Sequence, residues 1–97
     1  MLTGKERRHL NALAHNLKPV VTLGNAGLTD NVINEIDIAL NTHELIKVKI
    51  NYGDRDTRKH IDTEIAKRVQ CASVKNIGRV FIYYRATKKP IIKLPTT

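Results

Sequence analysis

Between Pro19 and Ile50 the sequence reads PVVTL, GNAG, LTDNVINEIDIAL and HELIKVKI, which are a β-branched run, a glycine loop, an amphipathic helical run and an alternating run. That succession constrains the chain more than any other feature. Two strands joined through a helix pair in parallel and pack the helix on their sheet. Val20 to Leu23, bounded by Pro19 and Gly24, predicts a short interior or near-interior strand. In the helical run Thr29 is the candidate N-cap, Asp30 lies near the positive helix end, and Val32, Ile33, Ile36, Ala39 and Leu40 share one face. From Leu45 onward Ile46, Val48 and Ile50 point one way while Lys47 and Lys49 point the other. The result is a strand with a basic side, or one whose lysine stems cover a neighbouring helix.

The flanking segments extend the same logic. TGKE at Thr3 to Glu6 fits a capping box, and Leu10, Leu13, Ala14 and Leu17 make an apolar stripe behind it. Pro19, which has no N–H, is the expected stop for that helix. After the turn GDRDTRK, a helix capped from Asp54 or Asp56 carries Ile61, Ile65, Val69 and Ala72 on one side. Val74 to Ile77 and Val80 to Tyr84 then read as extended runs, with only Gly78 and Arg79 between them. That spacing is most simply an antiparallel pair closed by a tight hairpin or a bulged turn. The expected fold is α/β: a single two-layer-type domain over residues 1–97, with a mixed four-stranded sheet and three helices in the order α-β-α-β-α-β-β. From about Thr87 the chain is weakly specified, because Pro90 and Pro95 suit an edge segment at most and two threonines end it. Partial disorder is expected there.

Charge narrows the partner. Lys and Arg number 17 against nine Asp and Glu, a net charge of +8. The balance is +3 over residues 1–19, −3 over 20–54, +2 over 55–72 and +6 over 73–97. A fold that brings the two chain ends together would make one basic face suited to a nucleic acid or an anionic membrane surface. The opening MLTGKERRHL is charged where a secretory signal is apolar, and no run approaches a membrane span, so a cytoplasmic protein without a membrane partner is expected. The single Cys71 has no partner for an internal disulfide.

Chemistry concentrates at GNAG. Read from the sequence, the first glycine takes positive φ, the second allows close approach, and the amides at the helix start are open donors for a phosphate. Lys5, Arg8 and Lys18 are the cations expected to flank Gly24, Asn25, Ala26 and Gly27, with Arg79 and Arg85 extending the surface by gripping phosphate oxygens. Tyr52 is a further aromatic of note, and an aromatic left exposed on the strand that carries Phe81, Tyr83 and Tyr84 would stack a base. ATP and NAD fit badly, since no G-x-G-x-x-G exists and GNAG lacks the following G-K-[ST]. His9, His15, His43 and His60 have no ligand spacing, Ser73 has no nucleophile elbow, and Asp54 and Asp56 read as turn and cap residues. No cofactor, metal or catalytic residue is expected.

With KPVV, GNAG, HELIKVK and IGR all in order, the sequence from Leu2 to about Lys89 closely resembles the stand-alone bacterial, YhbY-like members of the CRM (chloroplast RNA splicing and ribosome maturation) domain family. The resemblance implies an RNA-binding domain similar in fold to the C-terminal domain of a bacterial translation initiation factor. It also implies that Gly24 to Gly27 is the counterpart of the KH-domain backbone-binding loop. Many family loops carry a basic residue between the glycines; Asn25 and Ala26 stand there here, which shifts the cationic role to neighbouring side chains. Bacterial relatives are associated with precursors of the large ribosomal subunit, and plant relatives with group II intron splicing. The partner implied is therefore rRNA, with ribosomal proteins as further contacts and a monomer as the simplest state. Two other readings remain open at this point: a protein-interaction module on the ribosome, suggested by the acidic middle segment, and a Mg²⁺-dependent ribonuclease, suggested by the histidines and acids alone.

Overall fold

A computed structural model of the protein describes residues 2–95, so the terminal threonines Thr96 and Thr97 lie outside the described residues. The elements run α1 (Gly4–Ala14), β1 (Pro19–Leu23), α2 (Asp30–His43), β2 (Leu45–Ile50), α3 (Arg55–Arg68), β3 (Ala72–Ile77) and β4 (Val80–Tyr84). The sheet order is β1-β2-β4-β3. β1 pairs with β2 in parallel, whereas β4 is antiparallel to both β2 and β3, which makes the sheet mixed as the element order requires. The hairpin is tight: Ile77 faces Val80 across Gly78 and Arg79, and Gly78 alone has positive φ, at 61°. That places glycine at the first central position, as a II′ turn demands.

Side-chain alternation builds two cores. Val21, Leu23, Val48, Ile50, Phe81 and Tyr83 meet α2 and α3, which supply Ile36, Leu40, Ile65 and Val69. These are the two layers of the domain. On the other face Leu45, Val74, Ile82 and Tyr84 pack against Leu10 and Ala14 of α1, with Leu2, Ile92 and Leu94 alongside. The caps are those the sequence encodes: Thr3 and Glu6 close a full capping box, Thr29 Oγ1 accepts from Val32 N, and Asp54 accepts from Thr57 N.

Several boundaries differ from the sequence expectation. α1 ends at Ala14, not at Pro19, because the chain must leave the outer layer and descend to sheet level before β1 begins. The apolar stripe is cut short in consequence, and Leu13 and Leu17 are exposed; with Val20, His43 and Ile92 they rim an apolar hollow of about 470 Å³. β1 is an edge strand, not an interior one, and Val20 faces outward on it. Ala72 belongs to β3 rather than to the third helical stripe.

Among the described residues the segment after β4 has no strand but does have an anchor. Glu44, fully buried at positive φ (63°) between α2 and β2, accepts hydrogen bonds from Thr87 N and Thr87 Oγ1 (both 2.7 Å) and from Ile91 N and Ile92 N (both 2.8 Å). Burial pushes its carboxyl pKa up, but the four donors pull harder and hold it at about 2.

Candidate nucleic-acid interface

The C-terminal ends of β1 and β2 and the tip of the β3–β4 hairpin lie at one end of the sheet. Asn51 N donates to Leu23 O (2.9 Å) and Ile50 N to Arg79 O (2.8 Å), tying the three loops together. The glycine loop is a β-turn closed by Gly27 N to Gly24 O at 2.9 Å. The positive φ (75°) belongs to Gly27 and not to Gly24 as read from sequence, while both glycines have the open space that a close approach needs. Open space surrounds Gly24, where an added Cβ would meet nothing within 4 Å. The Gly27 and Thr29 amides are held inside the loop, which leaves Asn25 and Ala26, both exposed, with main-chain N–H groups that have no acceptor among the described residues. Asp30 occupies the first turn of α2 and pairs with Arg68 at 3.0 Å. A carboxylate there already answers the helix dipole, so an incoming phosphate is best served by the turn amides themselves.

Of the cations expected around this turn, only Arg79 is at this end. It is exposed and donates to Asn51 Oδ1 at 2.9 Å, beside the residue that braces Leu23. Lys18 precedes β1 and so lies at the strand's far end, roughly 20 Å from Gly24 along an extended chain at about 3.3 Å per residue. Lys5 and Arg8 are on the face of α1 opposite Leu10 and Ala14, in the half of the helix that Arg7 ties to the carbonyls of Ser73 and Val74 on β3, the other edge of the sheet. Arg85 turns inward. Its guanidinium donates to Asp37 Oδ1 (2.8 Å), Asp37 O (3.1 Å), Val69 O (2.7 Å) and Asn41 Oδ1 (2.9 Å), joining β4 to α2 and α3. It is a strut of the fold and not an open phosphate donor.

The chain ends come together, the condition for one basic face. His9 Nε2 lies 3.1 Å from Lys93 O, and Leu2, Ile92 and Leu94 share a core with α1. The same side of the sheet carries further cations. Lys49 is exposed in a cross-strand row with Thr22, Val80 and Ile77, and Lys75 lies opposite Ile82 in the next row, where Lys47 reaches His15 O at 3.5 Å. Both readings of the strand therefore hold: Lys47 covers the end of α1, and Lys49 is the basic side.

Sequence reasoning missed Lys75, because the register shift between Ser73 and Lys75 decides its face. It also gave no site role to Arg55, Arg58 and Lys59 on the first turns of α3, although their i, i+3 and i+4 spacing was visible. Phe81, Tyr83 and Tyr84 are buried, so the aromatic exposed at this end is Tyr52, in the turn after Asn51. Burial and the adjacent Asp62 raise the Tyr83 phenol well above its ordinary range. Among the described residues no group of three or more His, Cys, Asp or Glu side chains could hold a metal, and no helix is long and apolar enough to cross a membrane.

Comparison with known proteins gives the same direction. The family model for the CRS1 / YhbY (CRM) domain matches residues 2–85. An RNA-binding protein of Haemophilus influenzae is 45% identical over 94 residues, spanning 97% of this chain and 95% of the relative. A probable RNA-binding protein of Pseudomonas aeruginosa is 37% identical over 89 residues, 92% of this chain and 86% of that one. The solution structure of a Staphylococcus aureus protein provisionally assigned to RNA binding superposes with a TM-score of 0.85 at 36% identity, covering 98% of this chain and all of the other.

Proposed function

The chain belongs to the CRS1 / YhbY (CRM) domain family, and from that premise we propose that it is a non-enzymatic RNA-binding protein that grips the backbone of ribosomal RNA in a precursor of the large ribosomal subunit. The observation that carries the reading is the open glycine turn, whose exposed Asn25 and Ala26 keep main-chain N–H groups without an acceptor among the described residues, at the same end of the sheet as the exposed Arg79. Main-chain donors and cations read phosphate and not base identity, so contact at this turn orients an RNA strand without selecting its sequence. The basic side made by Lys49, Lys75 and the joined chain ends supplies the long-range attraction. Binding then favours whichever rRNA conformation presents a backbone to both elements, which is how a protein without chemistry can assist assembly. The ribosomal destination follows from the family resemblance, and the backbone grip from the residues.

Ala26→Asp tests the grip. Ala26 is exposed, so the variant folds, whereas Gly27 at φ 75° would resist a side chain for conformational reasons alone. The carboxylate sets a negative charge where phosphate would sit, and rRNA affinity should fall at least about tenfold by fluorescence anisotropy. For four neutralised phosphates the log–log salt slope is about −3, or roughly a 60-fold loss of affinity between 50 and 200 mM salt. Unchanged affinity in folded Ala26→Asp removes the turn from the interface, and a flat salt dependence removes the electrostatic attraction. Nucleotide-level crosslinking in cells tests the ribosomal destination; crosslinks confined to other RNAs would exclude it.

A further inference from the structure

Beyond the glycine turn, the same end of the sheet holds a polar cleft of about 440 Å³ between α3 and the β3–β4 hairpin. Arg55, Arg58 and Lys59 line one side, Asn76 and Gly78 the other, and Phe81 lies at its base. Its carboxylate, Asp62, already accepts from Ser73 Oγ (2.9 Å) and Tyr83 Oη (2.8 Å) through Oδ1, so three cations face one engaged acid. The volume falls within the roughly 300–1,000 Å³ typical of small-ligand sites, and the lining is that of an anion with a polar, planar appendage. A short chain of hydrogen bonds and backbone links the cleft to the glycine turn. Leu23 O holds Asn51 N, Asn51 leads through the exposed Tyr52 to Gly53, and Gly53 O accepts from Arg58 Nη1 at 2.7 Å.

We infer that the cleft is a second RNA-contact site, taking one nucleotide of an unpaired strand that leaves the glycine turn across Tyr52. The inference rests on the glycine turn being an RNA contact and adds the class of RNA. Arg55 and Lys59 are exposed and take the phosphate; Asn76 and the Gly78 main chain offer donors and acceptors to the base edge. A base within a duplex is stacked on both sides and reaches such a cleft only after unstacking, so the site selects single strands. Tyr52 favours the same substrate, because an aromatic ring stacks on a base only when the base is free of its neighbours. Arg58 positions the Gly53 turn between the two sites.

Amide chemical shifts read each site separately. Titration with a single-stranded RNA of about eight nucleotides should move Asn76, Gly78 and Tyr52 together with Asn25 and Ala26, while the same sequence as a duplex leaves Asn76 and Gly78 in place. The double variant R55Q/K59Q, which spares Arg58 and alters exposed positions only, should bind the single strand roughly tenfold more weakly and reduce the salt slope by about 0.7, the share of the one phosphate the two side chains hold together. Shifts at Asn25 and Ala26 alone, with R55Q/K59Q binding like the parent protein, would overturn the cleft and leave the glycine turn standing. Shifts in the cleft with a silent turn would retain the cleft and take the turn out of the RNA path. Equal cleft shifts with the duplex would overturn the selection for unpaired RNA.

Discussion

Arg79 and Arg85 are near neighbours in sequence with identical chemistry, and the fold gives them opposite work, which a pair of alanine substitutions should expose. Removing the Arg85 guanidinium takes a charged donor from two part-buried carbonyls, Val69 O and Asp37 O, and also from Asp37 Oδ1 and Asn41 Oδ1. The two carbonyls are worth about 1 kcal/mol each, and the more accessible side-chain acceptors about 1 kcal/mol together, since water replaces the donor there: about 3 kcal/mol in all. For a chain of this length that lowers the melting temperature by roughly 12–24 °C. Arg79 makes one exposed bond to Asn51, so Arg79→Ala should stay within about 0.5 kcal/mol of the parent. RNA titration run well below both melting temperatures should reverse the ranking: Arg79→Ala loses about 0.7 from the salt slope and Arg85→Ala loses none. Thermal denaturation by circular dichroism and anisotropy at several salt concentrations suffice. If Arg85→Ala melts within about 4 °C of the parent and flattens the salt slope, Arg85 is a phosphate contact and its assignment to the fold is refuted.

Glu44 predicts an acid-sensitive tail. Its carboxyl is lowered from 4.5 to about 2, so the stability it adds is complete above pH 4.5 and is lost as pH falls from there toward 2; protection factors of the Thr87, Ile91 and Ile92 amides should drop over that window, and constancy down to pH 2 would contradict the anchor. Thr29→Ala removes the cap of α2 directly behind the glycine turn and should cost about 1 kcal/mol by urea denaturation, with Thr29→Ser recovering most of it. Partial burial pushes the Cys71 thiol up to about 12, so a thiol reagent at pH 8 should label the folded protein far more slowly than a free cysteine, and labelling at the free-cysteine rate would refute that shift.

Local features were legible because their causes are local. The capping box at Thr3 and the cap at Thr29 are readable outright, and the Asp54 cap and the Gly78–Arg79 hairpin are each one of two alternatives; all depend on groups within four residues of one another. The alternation from Ile46 to Ile50 names its core face with no knowledge of what covers it. Features that depend on what another element does were not legible. Leu13 and Leu17 have the spacing of core residues, but α1 stops before it can bury them. The tail after Thr87 has the composition of a loose end, but a buried carboxylate more than forty positions earlier collects its amides.

The amino-acid sequence by itself determined the element order, the mixed sheet, the net positive charge and the glycine turn, because hydrophobic period, cap chemistry and backbone freedom act over a few residues. Only the tertiary structure decided which cations share the turn's end of the sheet. It kept Arg79 there, sent Lys18 to the far end of β1, turned Arg85 into the interior and brought Arg55, Arg58 and Lys59 to a cleft nearby. Charge adds up in sequence, but a field at a site depends on distance, and distance between side chains is settled by strand order and register.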